Sequence, residues 1–217
     1  MEKPLLQIAL DTYDLPSALG PLQKAAAYID VIEVGTILCL AEGMRAVQVI
    51  RSLFPEKTIL ADVRIAEAGS IISKMAYDAG ADWVSVVSGA APDTAEVVLK
   101  EAQSRGKDVQ IELSDGWTWG MAQKWADLGI QQVITHRSRD AEAKGSLTWS
   151  QEDFDTVCRL HEMGFKVTVT GGVKAQDIPL FAGLPVYIFI AGRAILGAAD
   201  PAVAAQEFQN VIARTFG

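Results

Sequence analysis

Eight short runs rich in Val, Ile and Leu recur along the chain, at Leu5–Leu10, Val31–Val34, Thr58–Ala61, Trp83–Val87, Val109–Leu113, Gln132–Thr135, Lys166–Val169 and Val186–Ile190. They begin 20 to 34 residues apart. Most of the intervals hold a stretch with helical apolar spacing, such as Glu42–Leu53, Ala91–Gln103 and Gln151–Met163. Many of the runs are almost continuously apolar, as expected of strands covered on both faces, and this predicts a parallel sheet under a layer of helices. Helix punctuation agrees: Thr118 precedes an amphipathic segment that stops at Gly129, and Ser150 precedes Gln151-Glu152-Asp153 in a helix that Gly164 ends. The polar stretch Arg137–Ser150 reads as a long loop of the functional kind.

Eight strand-helix units close naturally into a (β/α)8 TIM barrel, whereas an open doubly wound sheet usually has fewer strands and often a GxGxxG turn after the first, absent here. No linker or shift in composition interrupts residues 1–217, so the expectation is one barrel domain. In such a barrel the chemistry sits where the strands end. The residues leaving the predicted strands are unusually polar: Asp11, Glu33, Asp62 with Arg64, Glu112, His136 with Arg137 and Arg139, Thr170, and Gly192-Arg193. A single carboxylate there could merely cap a helix. Four converging on one mouth must share protons, pair with cations or hold a metal. Arg64 and a divalent ion are the available counter-charges, and oxygen ligands with one nearby His suit Mg2+ better than Zn2+.

Thr170-Gly171-Gly172 and Ala191-Gly192-Arg193 follow strands seven and eight. Those two loops form the usual phosphate site of this fold, where glycine exposes backbone N–H groups and a hydroxyl and a guanidinium complete the grip. His136, at a strand exit, is a candidate for moving protons, and its neighbours Arg137 and Arg139 predict a neutral imidazole. His161 lies near the end of a helix, where solvent exposure or compensation of the helix dipole explains it. Trp117, Trp119 and Trp125 are assigned to packing of the helix after strand five.

Composition narrows the partners. Of 217 residues, 27 are acidic and 19 basic, a formal charge of −8, with no Lys/Arg run. Such a surface repels nucleic acid and anionic membrane, so an anionic ligand must be held locally. No apolar run reaches the roughly 20 residues of a membrane helix, and the N-terminus carries no signal-peptide pattern. The two cysteines, Cys39 and Cys158, are far apart and fit a reducing, cytoplasmic setting.

The strings Gln7-Ile8-Ala9-Leu10-Asp11, Asp30-Val31-Ile32-Glu33-Val34-Gly35-Thr36, Gln110-Ile111-Glu112-Leu113, His136-Arg137-Ser138-Arg139-Asp140 and Phe189-Ile190-Ala191-Gly192-Arg193 span essentially the whole chain. On these strings the chain resembles the 3-keto-L-gulonate 6-phosphate decarboxylases of the orotidine 5′-monophosphate decarboxylase suprafamily. The resemblance implies Mg2+-dependent decarboxylation of a 3-keto sugar-acid phosphate through an enediolate, in a homodimer with shared active sites. It implies metal ligation by Glu33 and Asp62, and substrate binding by Asp11, Thr170, Gly171, Gly172, Gly192 and Arg193. It further implies catalytic roles for Arg64, Glu67, Glu112, His136 and Arg139, with His136 and Arg139 delivering a proton through water. The family's Asp-x-Lys-x-x-Asp motif reads Asp62-Val63-Arg64-Ile65-Ala66-Glu67 here. Arg64 stands for the Lys, and Glu67 for an Asp that in the family enters the partner subunit's site. That departure leaves open related enediolate chemistry, of the 3-hexulose 6-phosphate synthase or ketose-phosphate isomerase kind, or a sugar-phosphate-binding protein without turnover.

Overall fold

In the computed structural model, which describes residues 2–137 and 148–217, the eight predicted runs are strands β1 (Leu5–Leu10), β2 (Val31–Val34), β3 (Thr58–Ile65), β4 (Trp83–Val87), β5 (Asp108–Leu113), β6 (Gln132–His136), β7 (Lys166–Thr170) and β8 (Val186–Ala191). Each pairs in parallel with the next, and β1 pairs with β8, closing the barrel. Helices α1 (Leu15–Ala25), α2 (Thr36–Glu42), α3 (Arg45–Leu53), α4 (Gly69–Asp78), α5 (Pro92–Ser104), α6 (Trp119–Leu128), α7 (Gln151–Glu162), α8 (Arg193–Leu196) and α9 (Pro201–Phe216) lie among and after the strands. Between β7 and β8 the connection is a 3-10 segment, Ala175–Phe181.

The helix boundaries follow local chemistry. Thr118 accepts the Met121 N–H at the start of α6, and Gly129 ends it in the left-handed conformation. Ser150 and Asp153 form a reciprocal capping box on α7, with acids in its first turn. The stretch Glu42–Leu53, expected to be one helix, is divided: Gly43, at φ 62°, breaks the chain between α2 and α3. Most of the expected Arg137–Ser150 loop, Arg139 included, lies outside the described residues.

Two apolar layers result. Outward-facing strand residues such as Ile8, Ile32, Ile59, Val84, Val109, Val133, Val167 and Phe189 pack under the helices. Inside the barrel, Ala9, Val31, Ile134, Ile188 and Ile190 form a smaller cluster, flanked by Leu5, Trp83 and Tyr187. The interior is not wholly apolar: Gln7, Ser85, Gln110, Gln132 and Thr168 are buried there. Gln110 donates to Gln132 (2.8 Å), which donates to Asp108 (2.6 Å). The tryptophans do pack: Trp125 is buried, Trp117 and Trp119 meet edge to face at 4.8 Å, and Arg159 stacks on Trp119. His161 is exposed on α7.

One strand departs from its expected length for a reason that matters to the site. β3 continues past Ala61 to Ile65, and its ladder with β4 shifts register: Ala61 pairs with Val84, but Ile65 pairs with Val86. Four residues of β3 thus advance against two of β4. The excess is absorbed as a bulge in which Arg64 takes φ 46°, a left-handed conformation uncommon for any residue but Gly, Asn or Asp.

At the opposite end of the barrel, Asp82 joins three segments. Its carboxylate accepts from Lys107 (2.6 Å), from the Ile59 N–H (2.9 Å) and from Arg51, whose remaining donors reach the carbonyls of Gly80, Pro55 and Lys57. Partial burial pushes the Asp82 pKa up, but these donors outweigh it and hold the carboxyl below its ordinary value. A carboxyl depressed in the folded state contributes stability that is present above its unfolded pKa and is lost as pH falls through the folded value. Asp82→Asn is therefore expected to lower unfolding free energy by about 2 kcal/mol at neutral pH. The deficit should shrink in acid, as measured by urea unfolding across pH; a deficit independent of pH would contradict the assignment.

Candidate active site

The strand exits meet around one cavity of ≈ 290 Å³. Asp11, Glu33, Asp62, Arg64, Glu112 and His136 line one side, and Thr170, Gly171, Gly172, Gly192 and Arg193 line the other, over a floor of Ala9, Ile134 and Ile190. Eleven of the residues singled out from the sequence are thus brought together. Glu67 is not among them: it is exposed on the turn before α4 and does not line the cavity of its own chain. Arg139 lies outside the described residues.

The acidic side is built by the first six strands. Asp62 is buried, and both of its oxygens are taken by hydroxyls: Oδ1 accepts from Ser85 Oγ and Oδ2 from Thr36 Oγ1, each at 2.6 Å. Arg64 sits between two carboxylates, with Nη2 donating to Glu112 Oε1 at 2.7 Å and Nε 3.5 Å from Asp62 Oδ2. Glu112 Oε1 in turn lies 3.4 Å from His136 Nδ1. One connected path therefore runs Thr36–Asp62–Arg64–Glu112–His136, from the β2 exit to the β6 exit. Burial works against the Arg64 charge, but Asp62 and Glu112 more than offset it and hold the guanidinium firmly protonated.

The expected surroundings of His136 need correction. Arg137 turns away from the acidic side, donating from Nη2 to the Gly171 carbonyl (2.8 Å) and stacking on Trp149 at 3.4 Å. A carboxylate, that of Glu112, stands against the imidazole instead. Adjacent positions on a strand point to opposite faces, so His136 facing the barrel interior sends Arg137 outward.

Glu33 is the electrostatically exposed point of the cluster. Its carboxylate accepts from Gln7 Nε2 at 2.6 Å. Burial raises its pKa well above the usual carboxylate range, and the negative charges of Asp62 and Asp11 raise it further. Asp11 lies close because residue 35 is Gly; a Cβ there would stand 2.4 Å from Asp11 Oδ1. Among the described residues no three His, Cys, Asp or Glu side chains form a ready-made metal cage. The donor set nevertheless fits a hard divalent ion held by two carboxylates and completed by substrate or water oxygens, the usual manner of Mg2+. Burial and the neighbouring carboxylates disfavour the ionised form of Glu33, so a cation bound there would be favoured.

On the other side, Gly171 takes φ 104° and packs against Arg137, so that any Cβ would stand 2.5 Å from Arg137 Cβ. This brings the β7 exit loop against β6 and turns it toward Arg193. Two groups of residues escaped the sequence reading. Lys174 also lines the cavity, two positions beyond Gly172, and a cation so close to the Gly-Gly pair was a legible signal. Gln7 and Thr36 belong to strings that carry the resemblance and Ser85 to none, but the role of all three, holding Glu33 and Asp62 from behind, emerges only when the strands are in register.

A closed parallel eight-stranded barrel with buried carboxylates, a guanidinium and a Gly-Thr-Arg cluster at its strand exits belongs to the (β/α)8 class, in which the loops after strands seven and eight frequently bind phosphate. Residues 4–208 match the orotidine 5′-phosphate decarboxylase / HUMPS family, and the chain belongs to that family. Over all 217 residues, and the whole of the relative, it is 50% identical to 3-keto-L-gulonate-6-phosphate decarboxylase UlaD of Escherichia coli. Among solved structures, it matches the KGPDC of Streptococcus mutans at 41% identity and TM-score 0.97, with 100% of each chain covered. It also resembles 3-hexulose-6-phosphate synthase of Salmonella typhimurium at 30% identity and TM-score 0.90, covering 97% of this chain and 99% of that one.

The charge on Glu33 yields a test of the acidic side in the absence of metal. A carboxyl whose pKa is raised on folding costs stability at pH values above its unfolded pKa. In chelator at neutral pH, Glu33→Gln should therefore melt several degrees above the parent chain by calorimetry, although it deletes a site residue. An unchanged or lower melting temperature would show that the charge on Glu33 is already compensated.

Proposed function

We propose that this chain decarboxylates 3-keto-L-gulonate 6-phosphate to L-xylulose 5-phosphate and CO2, with Mg2+ as its metal. The observation that carries the reading is the Asp62–Arg64–Glu112–His136 path facing the Thr170–Gly172 and Gly192–Arg193 loops across one cavity. The names of the relatives that share the whole chain support the same substrate.

In this reading Thr170, the glycine backbones and Arg193 take the phosphate, and Asp11 binds the sugar. Binding energy at the phosphate end fixes the reacting carbons against the acidic side. The C–C bond to the carboxylate β to the ketone breaks, CO2 leaves, and its electron pair delocalises onto the former ketone as an enediolate. Arg64, already oriented by two carboxylates, presents fixed positive charge to that anion in a partly desolvated cavity, the arrangement that commonly supplies the largest catalytic contribution. Bound to Glu33 and Asp62, Mg2+ would supply further electrostatic stabilisation of developing negative charge. His136, steered by Glu112, stands where a proton must return to carbon, with Arg139 as its assigned helper for an intervening water.

The α4 helix presents Ile71 and Met75 to solvent, 64% and 55% exposed and one turn apart on one face, just after Glu67. We assign this face to contact with a second copy of the chain, which directs Glu67 toward the partner's cavity. No helix among the described residues is long and apolar enough to cross a membrane. The free thiols of Cys39 and Cys158 support a cytoplasmic location.

Purified protein given 3-keto-L-gulonate 6-phosphate should release CO2 with Mg2+ and stop in excess chelator; absence of release under both conditions would overturn the reading. Arg193→Ala should raise KM for the phosphorylated substrate at least about tenfold while changing kcat little. Equal losses on phosphorylated and phosphate-free analogues would remove Arg193 from the phosphate site. The Ile71→Asp/Met75→Asp variant should sediment as a monomer with turnover reduced on the order of a hundredfold, and an active dimer of that variant would place the interface elsewhere.

A further inference from the structure

The bulge in β3 needs something to hold it, and the structure places one side chain where it can. Between the Ala61–Val84 and Ile65–Val86 pairs the regular ladder is lost, so the backbone N–H of Arg64 has no strand carbonyl opposite it. It donates instead to the hydroxyl of Ser85, at 2.9 Å. The same hydroxyl donates its own proton to Asp62 Oδ1 at 2.6 Å. A serine hydroxyl has one proton and two lone pairs, so both bonds are satisfied at once. Ser85 is completely buried and does not line the cavity. Its side chain therefore serves the protein and not a ligand.

We propose that Ser85 is a positioning residue for the decarboxylation, fixing the Asp62 carboxylate and the Arg64 backbone relative to one another; this rests on the function proposed above. Arg64 keeps its left-handed φ of 46° only if its surroundings over-determine it. The Ser85 bond acts on the Arg64 backbone N–H from the neighbouring strand. Without it, β3 is free to relax toward an extended path, which redirects the guanidinium away from Glu112 and leaves Asp62 held only by Thr36 and Arg64. The phosphate loops after β7 and β8 make no use of Ser85. A defect at Ser85 should thus show in the chemical step and leave phosphate recognition intact.

Three substitutions separate a hydroxyl effect from a packing effect. Ser85→Ala removes both bonds, Ser85→Cys keeps nearly the same volume with a weak donor and acceptor, and Ser85→Thr keeps the hydroxyl but adds a methyl group. With 3-keto-L-gulonate 6-phosphate and Mg2+, Ala and Cys should each lower kcat on the order of a hundredfold, and Thr should recover at least about tenfold over Ala. Competitive inhibition by inorganic phosphate should stay within about twofold of the parent in all three. Activity in Cys with loss in Thr would make Ser85 a packing residue and overturn the inference, as would a parallel loss of phosphate affinity. Crystal structures of metal-free parent and Ser85→Ala provide a readout that does not depend on turnover. They should show Asp62 rotated or Arg64 out of the left-handed region in the variant only. Should the parent release no CO2, the proposed reaction falls by itself, while an unmoved Asp62 and Arg64 in the Ala variant would sink the positioning role on its own.

Discussion

Gathering carboxylates in a place that water barely reaches is the constraint to which much of this barrel answers. Asp62, Glu33 and Glu112 are each almost wholly buried, with Asp11 close enough to perturb Glu33. The guanidinium of Arg64 stands against two of them. A folded chain can tolerate such a cluster only by distributing donors with care, because an ionised carboxylate without partners costs several kcal/mol in a low-dielectric interior. The hydroxyls of Thr36 and Ser85 and the amide of Gln7 are those donors. They explain why a barrel interior that could have been Val and Ile throughout carries polar side chains beneath its mouth. Burial and like charge bear hardest on Glu33, whose pKa is raised well above the usual carboxylate range.

The two ends of the barrel solve the same electrostatic problem in opposite ways. At the N-terminal end Asp82 meets Arg51, Lys107 and a backbone N–H, and its charge is more than compensated. At the C-terminal end Glu33 meets one amide and the more distant Arg64 cation, and burial together with Asp62 and Asp11 raises its pKa well above the usual carboxylate range. Stability is concentrated where the connections can be short and saturated with partners, and reactivity where they are not. Fold energetics and site energetics are thus separated along the barrel axis, consistent with the general division of roles between the two faces of this architecture.

Much of this was legible in the order of residues. Eight apolar runs with helical intervals were enough for the closed parallel barrel, because a strand covered on both faces is apolar nearly throughout. The strand exits then followed from the fold, and Asp11, Glu33, Asp62, Glu112, His136, Thr170 and Arg193 occupy the mouth. The features that escaped have a common physical origin. A bulge is a property of two strands in register, so neither the extension of β3 to Ile65 nor the left-handed Arg64 could be read from β3 alone. The same holds for Ser85, an ordinary strand serine until its hydroxyl is opposite a broken ladder. For His136 the sequence neighbour Arg137 was a poor guide: it is one residue away, but the pleat sends it to the other face, where it stacks on Trp149.

The bulge also bears on the exchange of Lys for Arg in the Asp-x-Lys-x-x-Asp pattern. An ammonium is a compact charge that can turn its protons toward whatever is near, whereas a guanidinium must be delivered in a fixed plane. Arg64 here reaches Glu112 through one terminal nitrogen and approaches Asp62 through Nε, so its plane is set by two carboxylates on different strands. Its main chain is set from a third direction by Ser85. An arginine at this position therefore arrives with its orientation fixed at both ends, so the stiffness that separates it from lysine need not misdirect its charge. What such a cation gives up is adaptability. It can stabilise an anion only where the pre-set plane meets it, which ties the choice of ligand to the geometry of the loops after β7 and β8 on the opposite wall.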